Sequence, residues 1–164
     1  MSLYEEDLSV FENSVFYVAK DNSEIVGSVK VTLWDRKTIL PLEKLFGLNA
    51  NNVFQNNSLN NIWHVGRFAI SKSNGMLLLK KLLVMAISTI CSETNSLMIA
   101  ECDKKFVKVL NLLGIKTEVL APSVFYLGSE TLPIFSIYEW LYSFLNLAIP
   151  ALPLADTISL LQTV

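Results

Sequence analysis

The spacing of apolar and polar positions changes several times along the chain, and each change marks an element. Phe16 to Lys20 and Ile25 to Trp34 are apolar runs joined by Asp21-Asn22-Ser23-Glu24, a turn composition. They predict a β-hairpin with Val29, Val31 and Leu33 on one face and Ser28, Lys30, Thr32 and Trp34 on the other. Leu42 to Leu48 predicts a short helical turn, and seven asparagines between Asn49 and Asn61 predict a loop. Ile62 to Ile70 is β-branched and aromatic, the composition of a strand. Ser73, Asn74 and Gly75 are cap-type residues ahead of Met76 to Cys91, a helix apolar nearly all round and therefore expected to be buried.

Leu97 to Cys102 predicts the next strand. Asp103 then caps a helix from Lys104 to Leu113, with Phe106, Val109, Leu110 and Leu113 inward and Lys104, Lys105, Lys108 and Asn111 outward. Gly114 is its stop. Lys116 to Leu120 and Leu132 to Ile137 read as strands. Tyr138 to Ile149 reads as an amphipathic helix whose apolar side is Ile137, Trp140, Leu141, Phe144, Leu145 and Ala148. Strand, long helix and strand over Ile62–Cys102 force a parallel pair with a right-handed crossover. The fold class is therefore α+β, a mixed sheet flanked by helices. Residues 1–137 form the domain, and 138–164 are expected as a helical extension packing on the domain or on a partner.

Composition narrows the function classes. The chain has 164 residues, 52% hydrophobic and 17% charged, with a mean hydropathy of +0.43, which excludes a disordered chain. A net charge of −2 gives no electrostatic footprint for nucleic acid. Met1 to Val10 carries Glu5, Glu6 and Asp7 where a secretory leader would be basic and then apolar. Gly75 to Cys91 holds Lys80 and Lys81 at its centre, and prolines at 133 and 150 leave about 16 uninterrupted residues in the tail. Neither makes a transmembrane segment. Cys91 and Cys102 have no metal-ligand spacing and read as reduced thiols of a cytoplasmic protein, with no metal expected.

Several segments in order resemble one family. Ile25-Val26-Gly27-Ser28-Val29-Lys30-Val31, Leu40-Pro41-Leu42-Glu43-Lys44-Leu45-Phe46 and Trp63-His64-Val65-Gly66-Arg67-Phe68-Ala69-Ile70 carry the likeness. So do Asp103-Lys104-Lys105-Phe106 with Leu112-Leu113-Gly114-Ile115, and Tyr126-Leu127-Gly128 with Pro133. Together they resemble the GNAT acyltransferase superfamily, in the branch of autoinducer (acyl-homoserine-lactone) synthases and N-acyl amino acid synthases. The departures are specific. His64 stands where the family has an acid, Gly66 where it has serine, and Lys30 where it has arginine. The glycine-rich phosphate signature is reduced to Lys72-Ser73-Asn74-Gly75-Met76-Leu77. The family's first strand and helix have no counterpart before Tyr4, so an N-terminally truncated version is expected. That missing part helps to build the acceptor pocket in this branch, which argues against a homoserine-lactone product.

The resemblance implies an N-acyltransferase that takes an acyl group from acyl-CoA or an acyl carrier protein and delivers it to a small amine by direct attack. In such a site two central strands splay apart and the acyl-phosphopantetheine arm lies between them. Phe68, Ala69 and Ile70 would offer backbone N–H groups to the arm and the oxyanion. Lys72, Ser73, Asn74, Gly75 and Met76 would hold the pyrophosphate at a helix start. Gly66 would suit a strand bulge.

The ammonium acceptor needs a base. His64, the single histidine, and Glu101 on the adjacent strand are the candidates, against ordinary structural roles for each. Arg67 is either site-organising or half of a buried ion pair with Glu101 or Asp103. Cys102 has no second histidine to activate it, which argues against a cysteine nucleophile. The lysines at 72, 80, 81, 104, 105 and 108 form either a basic face for a carrier protein or a solvated one. No Lys or Arg follows Lys116, so the apolar tail points to a homodimer interface or an acyl-lined pocket rather than to anionic lipid. A second function class stays open, a degenerate GNAT-like module that binds an acyl-thioester or a partner without catalysis.

Overall fold

A computed structural model describes residues 10–55, 58–71 and 75–151, with the backbone of Ser159–Thr163. The hairpin forms from β1 (Ser14–Asp21) and β2 (Glu24–Leu33). Two short helices follow, α1 (Pro41–Phe46) and α2 (Ala50–Val53). Next come β3 (Asn61–Ile70), α3 (Met76–Ile90), β4 (Ser96–Asp103) and α4 (Lys104–Leu112). The chain continues through β5 (Glu118–Val119), β6 (Val124–Tyr126), β7 (Ser129–Ile137), α5 (Tyr138–Ala148) and β8 (Ser159–Thr163).

The strands form one sheet in the order β5-β7-β4-β3-β2-β1-β8, with β6 also paired to β7. β3 and β4 are parallel, as the strand–helix–strand pattern requires, and the other pairs are antiparallel. This is the mixed α+β architecture expected from the sequence.

Both faces of the sheet are covered. The larger core joins Val29 and Val31 to Leu78, Leu82, Ile87 and Ile90 of α3, and takes in Leu141, Phe144 and Leu145 of α5. The all-round apolar pattern of α3 is explained by this position between sheet and α5. On the opposite face Trp34, Leu42, Ala50, Phe54, Ile62 and Ile99 make a smaller core. Glu43 pins this segment, its carboxylate accepting from the Leu40 N–H at 2.9 Å and the Ala50 N–H at 2.8 Å.

Several local expectations change. Val107, not only Leu110, is buried beneath α4, while Phe106, Val109 and Leu113 are half-buried. Asp103 does cap that helix, accepting from the Lys105 N–H at 2.7 Å. Asn49 caps α2 inside the asparagine-rich stretch expected as loop, accepting from the Asn52 N–H at 2.9 Å. The strand expected over Lys116–Leu120 pairs only at Glu118–Val119. β6 adds a hairpin turning at Leu127-Gly128, both at positive φ, the backbone a tight two-residue turn demands.

The tail is not helical throughout. The α-helix ends at Ala148, ahead of Pro150, and residues 159–163 add to the edge of β1, whose N–H and C=O groups would otherwise lack a strand partner. The expected N-terminal truncation concerns the part before Tyr4, which lies outside the described residues. Among the described residues no helix is long and apolar enough to cross a membrane.

Candidate active site

β3 and β4 pair only over Asn61–His64 and Ser96–Ile99. Beyond that point β3 stays with β2 as far as Ile70, while β4 stays with β7 as far as Asp103. The two central strands therefore part like a fork. The gap opens into a cavity of about 660 Å³ on the α3 side of the sheet. Met76, Leu79, Leu83 and Ile87 recur at three- and four-residue steps along its helical wall, so the lined length is about 16 Å. Met98, Leu110, Ile115 and Ile134 close the inner end, and Phe68 and Phe106, with ring centroids 5.1 Å apart, stand at the mouth.

A bulge shapes the β3 side of the fork. Lys30 lies opposite Gly66 and Ser28 opposite Ala69, so Val29 faces two residues, Arg67 and Phe68. The extra residue is thus at Arg67–Phe68 and not at Gly66 as expected. Arg67 takes the left-handed turn (φ 51°), and the Ser28 hydroxyl donates to its carbonyl at 3.1 Å. Arg67 is exposed, so it does not have the buried setting that one of its two expected roles required.

Backbone direction follows from one hydrogen bond. The Ser71 N–H donates to the Val26 carbonyl at 2.8 Å, towards β2. Alternation then turns the amide of Ala69 towards β2 as well, and that of Ile70 away from it, into the gap. Of the three expected residues, Phe68 and Ile70 line the cavity and Ala69 does not. At the same mouth Gly75 and Met76 line the opening where α3 begins, and Gly75 caps that helix without a side-chain hydrogen bond. Lys72, Ser73 and Asn74 lie outside the described residues.

His64 and Glu101 meet at the crotch of the fork. His64 is the last paired residue of β3, and Glu101 is the next residue on the same face of β4 beyond its partner Ile99. Nε2 of His64 lies 2.9 Å from Oε2 and 3.2 Å from Oε1 of Glu101. His64 is buried at 7% exposure, while Glu101 and Gly66 both line the cavity. A carboxylate accepting at Nε2 fixes the tautomer, leaving the Nδ1 lone pair as the basic site. The sequence named each residue as a separate candidate, and the structure joins them.

Cys102 also lines the cavity, but burial, with Glu101 and Asp103 beside it, pushes its thiol up to about 12. It is protonated at neutral pH, which agrees with its exclusion as a nucleophile. Of the six lysines, Lys81 is buried within α3, Lys104 pairs with Glu130 at 2.7 Å, Lys105 and Lys108 are exposed on α4, and Lys72 lies outside the described residues. Among the described residues no group of three or more His, Cys, Asp or Glu could hold a metal ion. The residues missed by sequence reading are those of the cavity wall, whose signal was the absence of a polar face on α3.

In sequence, no family model matches the chain and no curated protein is similar to it. In structure it matches acyl-transferring synthases. The N-acyl amino acid synthase FeeM from uncultured soil microbes superposes with a TM-score of 0.68 at 12% identity, over 85% of this chain and 82% of that one. The CoA-dependent acyl-homoserine lactone synthase BjaI, solved with MTA, gives 0.64 at 13% identity over 89% and 72%. TofI, in a ternary complex with an inhibitor and MTA, gives 0.58 at 13% over 81% and 69%. BjaI has also been solved with SAM and isopentyl-CoA. The chain has the GNAT-like fold of these synthases, as its strand motifs implied.

Proposed function

We propose that this chain is an N-acyltransferase, moving an acyl group from an acyl-CoA or an acyl-phosphopantetheine carrier to a small amine by direct attack. The observation that carries the reading is the fork itself: an apolar cavity between two parted strands, with a buried His–Glu pair at the point of parting. The acyl chain lies along Leu79, Leu83 and Ile87. The pantetheine arm bonds the strand amides of Phe68 and Ile70, and the pyrophosphate sits on the first N–H groups of α3 at Gly75 and Met76. Arg67, exposed at the bulge, lines the same cavity.

The chemistry then needs three acts. His64 Nδ1, with Glu101 accepting at Nε2, takes a proton from the acceptor ammonium. The freed amine nitrogen attacks the thioester carbonyl carbon, and its oxygen gathers negative charge that an amide of the bulged strand stabilises. The tetrahedral adduct collapses with cleavage of the C–S bond. The thiolate leaves as His64, having passed the first proton to solvent, takes the second nitrogen proton and gives it to the sulfur, so that the amide, the free thiol and one released proton result. No bond to the protein forms at any stage.

The test pairs thermal shift with thiol release. Stabilisation by acetyl-CoA, a longer acyl-CoA or an acyl carrier protein, with amine-dependent thiol release abolished in His64→Ala, supports the reading. Stabilisation without thiol release across an amine panel would leave a binding module, and no stabilisation by any thioester would refute both.

A further inference from the structure

We infer that Gly66 is a positioning residue for His64: its missing side chain leaves the imidazole the room it needs to seat against Glu101. This rests on the proposed role of His64. Glycine weakens a strand interior, so its presence two residues from the base needs a cause. The backbone does not supply one, because Gly66, unlike Gly47, Gly114 and Gly128, is not in the left-handed region. The side-chain space does. A Cβ built at Gly66 would lie 3.2 Å from Cε1 and 3.7 Å from Nδ1 of His64, and these are the only atoms it would meet within 4 Å.

Position 66 is therefore shaped by the ring alone. His64 and Gly66 share a face of β3, and Glu101 holds the ring from the far side through Nε2. The ring is pinned between a carboxylate and a vacancy. A methyl at 66 would push Cε1 away by a few tenths of an ångström, straining the bond to Glu101. The His64 and Gly66 departures from the family pattern are thus one change. A larger group at 64 requires a smaller one at 66.

The single histidine makes the test direct. In ¹⁵N-labelled protein the two imidazole nitrogens give one set of long-range correlations. In the unaltered chain they report the Nε2–H tautomer, and Gly66→Ala should shift them. For turnover, Gly66→Ala should lower kcat about tenfold with the KM for the acyl donor unchanged, a misplacement and not a lost binding contact. Denaturant titration supplies a third arm. Gly66→Ala should cost stability when His64 is present and none in a His64→Asn background, where the added methyl meets no ring.

Unaltered imidazole shifts in Gly66→Ala, or an equal stability loss in both backgrounds, would overturn the inference. The spectroscopic and stability arms do not depend on turnover. Failure of the acyltransferase reading would therefore show as absent thiol release with these two arms still positive.

Discussion

Replacing Leu83 with tryptophan should shorten the acyl chain this protein holds. Leu83 is buried on the cavity wall, one helical turn deeper than Leu79 and one turn short of Ile87. An indole there closes the last turn of the cavity, about 6 Å of its length, the reach of roughly four methylenes. At about 0.8 kcal/mol per buried methylene the inner stretch is worth about 3 kcal/mol, on the order of a hundredfold in Kd. The added volume falls into existing space, so the stability cost should lie at or below the low end of the roughly 1–3 kcal/mol of an overpacked core. The assay is calorimetric titration with a saturated acyl-CoA series from butyryl to dodecanoyl. In the unaltered protein Kd should fall about fourfold per methylene until the cavity is full. In Leu83→Trp the short donors should bind as before and the gain should stop about four carbons earlier. A Kd independent of chain length, or an equal loss for short and long donors, would refute the assignment of this cavity to the acyl chain.

Two further outcomes test the surrounding structure. Cys102 titrates at about 12 in the fold against its ordinary 9.0, because burial disfavours the thiolate. The folded state holds that proton more tightly, so its contribution is complete below pH 9 and lost as pH rises from 9 to 12. Between pH 8 and 10.5 the unaltered chain should lose about 2 kcal/mol more than Cys102→Ala by urea titration, and parallel pH profiles would contradict this. A Cβ at Gly27 would come within 2.9 Å of Leu82 Cδ1. Gly27→Ala should therefore cost about 1–3 kcal/mol and Leu82→Ala about 2–5, the double variant losing less than their sum, whereas strict additivity would show that the two do not touch.

The sequence carried the fold wherever an element had a period of its own. The hairpin, α3, β4, α4 and the parallel pair follow from spacing, because burial on one face or all round leaves a direct trace in residue order. Elements that depend on a neighbour left little. β6 is three residues long and exists by pairing with β7, and the strand over 159–163 needs the edge of β1. Val107 was left off the inner face of α4 because α4 is short, and one step of phase moves a residue from rim to core.

The candidate site divides in the same way. His64 and Glu101 stood out by residue type, but their hydrogen bond depends on a register between strands 37 residues apart, which no local pattern encodes. Gly66 was expected to bend the strand, whereas the bend falls at Arg67 and the glycine makes room for a ring. The cavity wall was legible only as the missing polar face of α3.

The central claim is that a thioester lies in the fork between β3 and β4. A crystal structure of the protein with dodecanoyl-CoA tests it most directly. The acyl chain should run along Leu79, Leu83 and Ile87, the pantetheine should bond the amides of Phe68 and Ile70, and the thioester carbon should lie on the Gly66 side of the gap, within reach of an amine held at His64 Nδ1. A ligand bound elsewhere at saturating donor, or a fork filled by protein side chains in its presence, would contradict the account.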